Sequence, residues 1–207
     1  AAHVPPAARG SLAGEPAAFR AVNAEGRRTL RAAHAAAAVP RIVHVSSPSV
    51  AHAGHALAGV GAEPADPVGA RGEYARTKAE AELLALSRAG DTASLVAIRP
   101  HLVWGPGDTQ LIARVVDRAR RGRLPLLNGG TALIDSTYVD NAASGIVAAL
   151  SRVDEVSGRA YVLTNGEPRP VGDLLAGIGR ASGVRPPRFS VPAGLARAAG
   201  GLVERVW

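Results

Sequence analysis

This chain contains a single lysine, Lys78, and it stands four residues after Tyr74, in Tyr74-Ala75-Arg76-Thr77-Lys78. Every other basic residue among the 24 is arginine, so a position needing only positive charge would carry Arg. Lysine differs in presenting a compact point charge on a flexible stem. Residues four apart share one face of a helix, so phenol and ammonium meet on the same side, and the ammonium eases release of the phenol's proton. That is acid–base chemistry. An exposed helix pair is the bland alternative, and the elements around the pair decide against it.

Ile42, Val43 and Val45 form a short apolar run, as in a strand of a parallel sheet buried on both faces, and Ser46, Ser47 and Pro48 end it. Gly-, Pro-, His- and Ala-rich sequence from Ala51 to Gly72 predicts a long loop. Glu73 to Ala89 reads as a helix with Ala75, Ala79, Leu83 and Leu86 inward and Gly90 as its stop. Leu95 to Ile98 is the next strand, ended by Pro100. Upstream, residues 16–38 read as an Ala-rich helix closed by Pro40.

Downstream, Asp108 is placed to cap a helix reaching Arg121, with Leu111, Ile112, Val115, Val116 and Ala119 inward. Leu124–Leu127 and Leu133–Tyr138 read as extended pieces, and Asp140 as the cap of a helix through Ile146, Val147 and Leu150. A strand at Tyr161–Leu163, a helix at Val171–Ala181 and an amphipathic tail at Leu195–Val206 complete the pattern. Alternating helices and apolar strands predict an α/β domain with a parallel sheet.

In such a sheet, ligands gather at the carboxyl ends of the strands. Ser47 ends one strand, Pro100 and His101 end the next, and the Tyr74–Lys78 helix lies between them in sequence. The chemistry that needs this trio is hydride transfer to or from a carbonyl. Tyr74 moves the proton on the substrate oxygen, Lys78 assists it, and Ser47 holds the oxygen as charge develops. The hydride needs a nicotinamide, NAD or NADP, because no side chain supplies it. Ser46 reads as a turn residue, Ser47 being nearer the rim.

Composition narrows the alternatives. An apolar fraction of 47% with 20% charged residues is ordinary for a globular chain. The net charge of +7 invites a nucleic-acid partner, but base-stacking aromatics are nearly absent from the Arg118–Arg123 cluster, so it reads as a solvated helix face. Absence of cysteine excludes thiolate metal sites and disulfides and suits a cytoplasmic location. No apolar run reaches membrane-span length. His52 and His55 sit in the loop without acidic or thiol neighbours, so no metal site is expected, and His44 reads as a packed strand residue. Gly177-Ile178-Gly179 with Gly183 falls late in a helix and reads as structural, not as a dinucleotide fingerprint.

Ser47 followed 27 residues later by Tyr74-x-x-x-Lys78 resembles the extended short-chain dehydrogenase/reductase pattern. Val22-Asn23-Ala24-Glu25-Gly26 resembles that family's V-N-x-x-G segment, and Ala1-Ala2-His3-Val4 the stretch after its fourth strand. Arg99-Pro100-His101-Leu102-Val103-Trp104-Gly105-Pro106-Gly107-Asp108 resembles the 3β-hydroxysteroid dehydrogenase branch. Leu133-Ile134-Asp135, Tyr138-Val139-Asp140-Asn141 and Thr164-Asn165-Gly166-Glu167-Pro168 continue that likeness. Within the branch the chain is similar to sterol-4α-carboxylate 3-dehydrogenases and 2-alkyl-3-oxoalkanoate reductases.

The resemblance implies an incomplete Rossmann-type doubly wound sheet. Residues 1–104 would be the C-terminal half of the NAD(P)-binding domain. Residues 105–207 would be mostly a small substrate-binding region with returns to the sheet. It implies Ser47, Tyr74 and Lys78 as catalytic residues, with Ala1, Ala2, Asn23, Tyr74, Lys78, Pro100, His101 and Val103 at the cofactor. Its Gly-rich pyrophosphate turn has no counterpart here, so the first three and a half β-α units, the residue selecting NAD or NADP, and a segment beyond Trp207 are expected outside this chain. A small-molecule ketone or alcohol is the implied substrate, sterol-like or β-keto-acid, and a homodimer is compatible. A sugar-nucleotide epimerase uses the same trio and is the first rival. A silent NAD(P)-binding regulator is the second, and the intact trio speaks against it.

Overall fold

The computed structural model describes residues 39–52, 54, 57–90, 93–187 and 189–196. The helix expected over 16–38, the site residues Ala1, Ala2 and Asn23, and most of the expected C-terminal tail lie outside them. The chain divides into two compact units. One draws on the sequence up to His101 and on Ala142–Leu163, the other on Leu102–Asn141 and the sequence from Thr164.

In the first unit, β1 (Arg41–Val45), β2 (Ser94–Pro100) and β7 (Ala160–Leu163) form one parallel sheet in the order β1-β2-β7. Val43 pairs with Val96, and Ile98 with Tyr161. A parallel pair needs a crossover, and α1 (Glu73–Leu86) lies within the connection from β1 to β2. Five consecutive residues of β2 are buried, as a strand covered on both faces requires. β1 is only partly buried. Among the described residues it pairs with β2 alone, whereas its apolar run predicts a strand covered on both faces.

The core of this unit is Val96, Ile98 and Val153, with Val43, Ile146, Ala149, Val156 and Leu163 packed against it. The two helices supplying these contacts are α3 (Val139–Ser151) and α4 (Val153–Val156). Gly145 lets α3 lie close to the sheet, because a Cβ there would stand 2.7 Å from the Leu163 side chain. Asp140, expected as the cap of this helix, falls in its first turn, since the helix begins at Val139.

Helix α1 buries Ala75, Thr77, Ala79, Ala81 and Glu82, while Leu83 and Leu84 are 43% and 38% exposed. The inward stripe therefore passes through Ala75, Ala79 and Glu82, and the expectation that Leu83 faces inward is corrected. Its cause is the partner waiting in β2. Arg99 is 2% exposed, and its guanidinium meets the Glu82 carboxylate through Nε–Oε2 at 3.0 Å and Nη2–Oε1 at 2.5 Å. A buried charge is tolerated only when paired. Turning the helix to bury Leu83 instead would leave Arg99 alone. The helix also ends at Leu86, one turn before the expected Ala89.

The second unit is built around α2 (Ile112–Arg120) and α5 (Val171–Ala181). Val115, Leu124 and Ile178 form its apolar centre, joined by Leu111, Ile112, Val116, Ala119, Leu174 and Leu175. The expected inward face of α2 is the observed one. Short strands surround these helices: β3 (Val103–Trp104) pairs parallel with β6 (Thr137–Tyr138), β4 (Leu126–Leu127) parallel with β9 (Ser190–Val191), and β5 (Leu133–Ile134) antiparallel with β8 (Arg169–Pro170). The stretch Leu133–Tyr138, read as one extended piece, is thus two strands with different partners. Gly130 has φ +72°, and a Cβ there would stand 2.8 Å from the Gly172 backbone. Gly179 is buried in α5, where a Cβ would crowd the Val184 carbonyl at 3.2 Å, in keeping with its structural reading.

Candidate active site

The strand β1 delivers its last carbonyl and the two serines to the carboxyl edge of the first unit's sheet. Ser46 is buried, its amide donating to the Ile98 carbonyl at 2.8 Å, which ties the strand end to β2. Its hydroxyl has no hydrogen-bond partner among the described residues. The turn residue expected at this position is therefore an interior one.

Ser47 is part-buried and extended, with φ −154° and ψ 147°, and it caps a 3-10 helix over Pro48–Ala51. Its Oγ accepts from the Ser49 amide at 3.3 Å and lies 2.9 Å from the Ser49 Oγ. Proline at the first helical position suits this turn, since the amide it lacks would have had no partner there. Val50 and Ala51 are buried and anchor the turn in the unit.

Helix α1 packs against this 3-10 helix. Lys78 reaches back from it and donates to the Val45 carbonyl at 3.1 Å. The lone lysine is thus tied to the strand that leads into Ser47. Tyr74, one turn earlier on the same helix face, is 43% exposed. Arg76 stands between them in sequence, but its guanidinium is engaged by Glu73 and Glu80. Its hydrogen bonds to Glu73, aided by the charges of both carboxylates, outweigh desolvation and raise its already high pKa. That arginine belongs to a surface charge cluster; the lysine belongs to the strand end.

His101 follows β2, its amide donating to the Leu163 carbonyl at 2.9 Å. With Arg99, Pro48, Leu57, Val60 and Val162 it lines a cavity of about 40 Å³, room for a water and not for a nicotinamide. Pro100 closes β2 beside it, half-buried. Val103 belongs to the second unit and is 39% exposed in β3.

Two features went unread in the sequence. The Arg99–Glu82 pair clamps α1 to β2, and Arg99 Nη1 also donates to the Glu63 carbonyl at 2.7 Å, pinning the loop before α1. An arginine inside an apolar strand was its signal. Ser49, hydrogen-bonded to Ser47, had no signal beyond its own hydroxyl.

The motif segments of the second unit hold one another. Asp135 Oδ2 accepts from Thr164 Oγ1 at 2.6 Å, and Asn165 Oδ1 accepts from the Tyr138 amide and from Asn141 Nδ2 at 3.1 and 3.0 Å. The Trp104 and Tyr138 rings meet edge to face at 5.3 Å, and Trp104 Nε1 donates to Ser136 Oγ at 3.1 Å. Asp108 accepts from the amides of Gln110, Leu111 and Ile112 at 2.7 to 3.0 Å. Partial burial opposes ionisation of that carboxyl, but the three amides together hold its pKa below the usual aspartate range.

Residues 7–164 match the NAD dependent epimerase/dehydratase family. A 2-alkyl-3-oxoalkanoate reductase of Stenotrophomonas maltophilia (strain K279a) is 37% identical over 195 residues, 91% of this chain and 59% of that protein. An Arabidopsis thaliana protein, 3beta-hydroxysteroid-dehydrogenase/decarboxylase isoform 2, is 33% identical over 193 residues, 88% of this chain and 34% of that one. Among solved structures, MoeE5 in complex with UDP-glucose and NAD superposes with a TM-score of 0.67 at 28% identity, covering 83% of this chain and 57% of that one. The chain spans about three-fifths or less of these relatives' lengths. The likeness read from the motifs, to oxoalkanoate reductases and the hydroxysteroid dehydrogenase branch, is borne out, as is the Rossmann-type α/β fold.

Proposed function

The chain belongs to the NAD dependent epimerase/dehydratase family, and from that premise we propose that the complete protein is an NAD(P)-dependent oxidoreductase acting on a secondary alcohol or ketone. One observation carries this reading furthest. The lone lysine shares a helix face with Tyr74 and is anchored on Val45 O, two residues before Ser47. The donor set suits a nicotinamide dinucleotide: a lysine ammonium with three N–H donors, a half-exposed phenol on α1 and a part-buried hydroxyl after a strand end. Tyr74 and Lys78 would hold it, with Pro100, His101 and Val103 from the strand-end segments and Ala1, Ala2 and Asn23 from the upstream sequence. When bound, that group supplies or takes up hydride.

In reduction, Tyr74 gives its proton to the substrate oxygen, and in oxidation it takes the proton back. Lys78 places its ammonium on the same helix face, one turn after the phenol. Ser47 donates a hydrogen bond to the oxygen where negative charge accumulates. The substrate class is a 3-oxo or 3-hydroxy acyl or sterol-like molecule, following the reductase and dehydrogenase relatives. In this reading the first unit belongs to the nicotinamide-binding domain and the second is mostly a substrate-binding region. The homodimer and the cytoplasmic location expected from the sequence belong to the same proposal. Leu83 and Leu84, exposed on α1, give a partner subunit an apolar face to cover.

A screen of the complete protein decides the reading. NAD(P)-linked turnover of 3-oxoacyl or 3-oxosterol substrates, abolished in Tyr74→Phe while nicotinamide binding persists, is the expected result. Activity of that variant within tenfold of the parent would remove Tyr74 from the chemistry. The likeness to a protein solved with UDP-glucose and NAD keeps the epimerase as second reading. Its signature is interconversion of UDP-sugars without net consumption of added nicotinamide.

A further inference from the structure

In the proposed reaction Ser47 is the hydrogen-bond donor to the substrate oxygen, and the role of Ser49 rests on that assignment. A serine hydroxyl has one proton to donate and two lone pairs to accept with. One lone pair of Ser47 Oγ receives the Ser49 amide proton at 3.3 Å. The Ser49 hydroxyl lies 2.9 Å away on the same oxygen, and that contact runs in one of two directions. If Ser47 donated to Ser49, its only proton would be spent and a carbonyl oxygen would find no donor. If Ser49 donates, both lone pairs of Ser47 are occupied and its proton must point elsewhere.

We propose that Ser49 is a positioning residue that fixes Ser47 as a donor, forming the chain Ser49 O–H to Ser47 O–H to substrate oxygen. The substrate oxygen is an acceptor as the ketone and more strongly as charge builds on it, so one polarity serves both directions of reaction. Successive hydrogen bonds polarise one another, which strengthens the Ser47 donation at the moment charge develops. The 3-10 turn makes the arrangement rigid. Ser47 caps it, the Val50 amide donates to the Ser47 carbonyl at 3.2 Å, and Val50 and Ala51 are buried beneath it. Ser49 is thereby held two residues from Ser47, with both its amide and its hydroxyl on one oxygen.

The test uses the complete protein with the substrate that gives turnover. Ser47→Ala should lose about 100-fold or more in kcat, the scale for one lost oxyanion donor. Ser49→Ala, and the near-isosteric Ser49→Cys should Ala disturb the turn, should lose roughly tenfold in kcat with KM and nicotinamide affinity unchanged. Ser49→Thr, which keeps the hydroxyl, should recover most of the loss. The double variant Ser47→Ala/Ser49→Ala should be no slower than Ser47→Ala alone, because Ser49 acts only through Ser47. Losses that multiply in the double variant, or a Ser49→Ala enzyme as fast as the parent, would overturn the proposal. Full activity in Ser47→Ala is a different outcome: it would overturn the assignment of Ser47 itself.

Discussion

Lys78 is held by a main-chain carbonyl, Val45 O at 3.1 Å, and that contact asks for a small tetrahedral ammonium. A guanidinium is planar, longer and rigid in its fork. In Lys78→Arg the charge persists but cannot sit both on Val45 O and beside the Tyr74 face. The complete protein carrying this variant should lose about 100-fold in kcat, the lower range for a disabled acid–base group, with its melting temperature nearly unchanged. The measurement is steady-state turnover beside thermal melting. Arginine occupies every other basic position, so a Lys78→Arg enzyme of parental activity would make the lone lysine an accident of composition.

Elements in this chain are joined by polar clamps as much as by apolar burial, and two of them give testable consequences. The Glu82–Arg99 pair, with side chains 1% and 2% exposed, sets which face of α1 meets β2. Breaking one side, as in Glu82→Gln, leaves a buried guanidinium partly uncompensated and should cost about 3 kcal/mol or more in unfolding free energy. Replacing both with apolar residues, Glu82→Leu/Arg99→Met, should cost less than either single change, since no charge is then stranded. Chemical denaturation of Glu82→Gln, Glu82→Leu, Arg99→Met and the double variant checks this.

Asp108 offers a pH test in the turn before α2, whose cap position is Leu111 and not Asp108 as expected. Its folded pKa is depressed, so its contribution is complete above the unfolded aspartate range and disappears as pH falls through the folded value. Asp108→Ala should therefore destabilise by about 1 kcal/mol or less at neutral pH, allowing for solvent screening. The gap to the parent should close below about pH 4. Melting curves collected from pH 7 downward would show it, and a constant gap would remove the carboxylate from the account.

At the scale of the whole molecule, the described residues hold one extended sheet in the first unit and three two-residue strand pairs in the second. Amides of β2 are bonded into ladders on both sides and buried over five consecutive residues. Among the described residues the short pairs are bonded on one side and, Thr137 of β6 apart, lie nearer solvent. Opening free energies follow such differences. Hydrogen exchange read by mass spectrometry should find the slowest peptide over Ser94–Pro100 and faster exchange over Leu126–Leu127 and Leu133–Ile134. Equal protection throughout would mean the two units open as one.

What the sequence determined by itself is what short-range spacing can encode. The i, i+4 placement of Tyr74 and Lys78, the apolar strand runs Ile42–Val45 and Leu95–Ile98, the inward stripe of α2 and the Arg99–Asp108 motif are all local patterns, and both runs fall within the observed strands Arg41–Val45 and Ser94–Pro100. The candidate trio and the family likeness were legible for the same reason. Tertiary structure alone decided which face α1 buries, because the hydrophobicity of Leu83 lost to the need of Arg99, seventeen residues after Glu82, for a carboxylate. It also decided that Leu133–Tyr138 is two strands, since their partners β8 and β3 come from opposite directions along the chain. The position of Ser49 against Ser47 was likewise invisible beforehand. A serine two residues from another can point anywhere until a buried Val50 and a capped turn aim it.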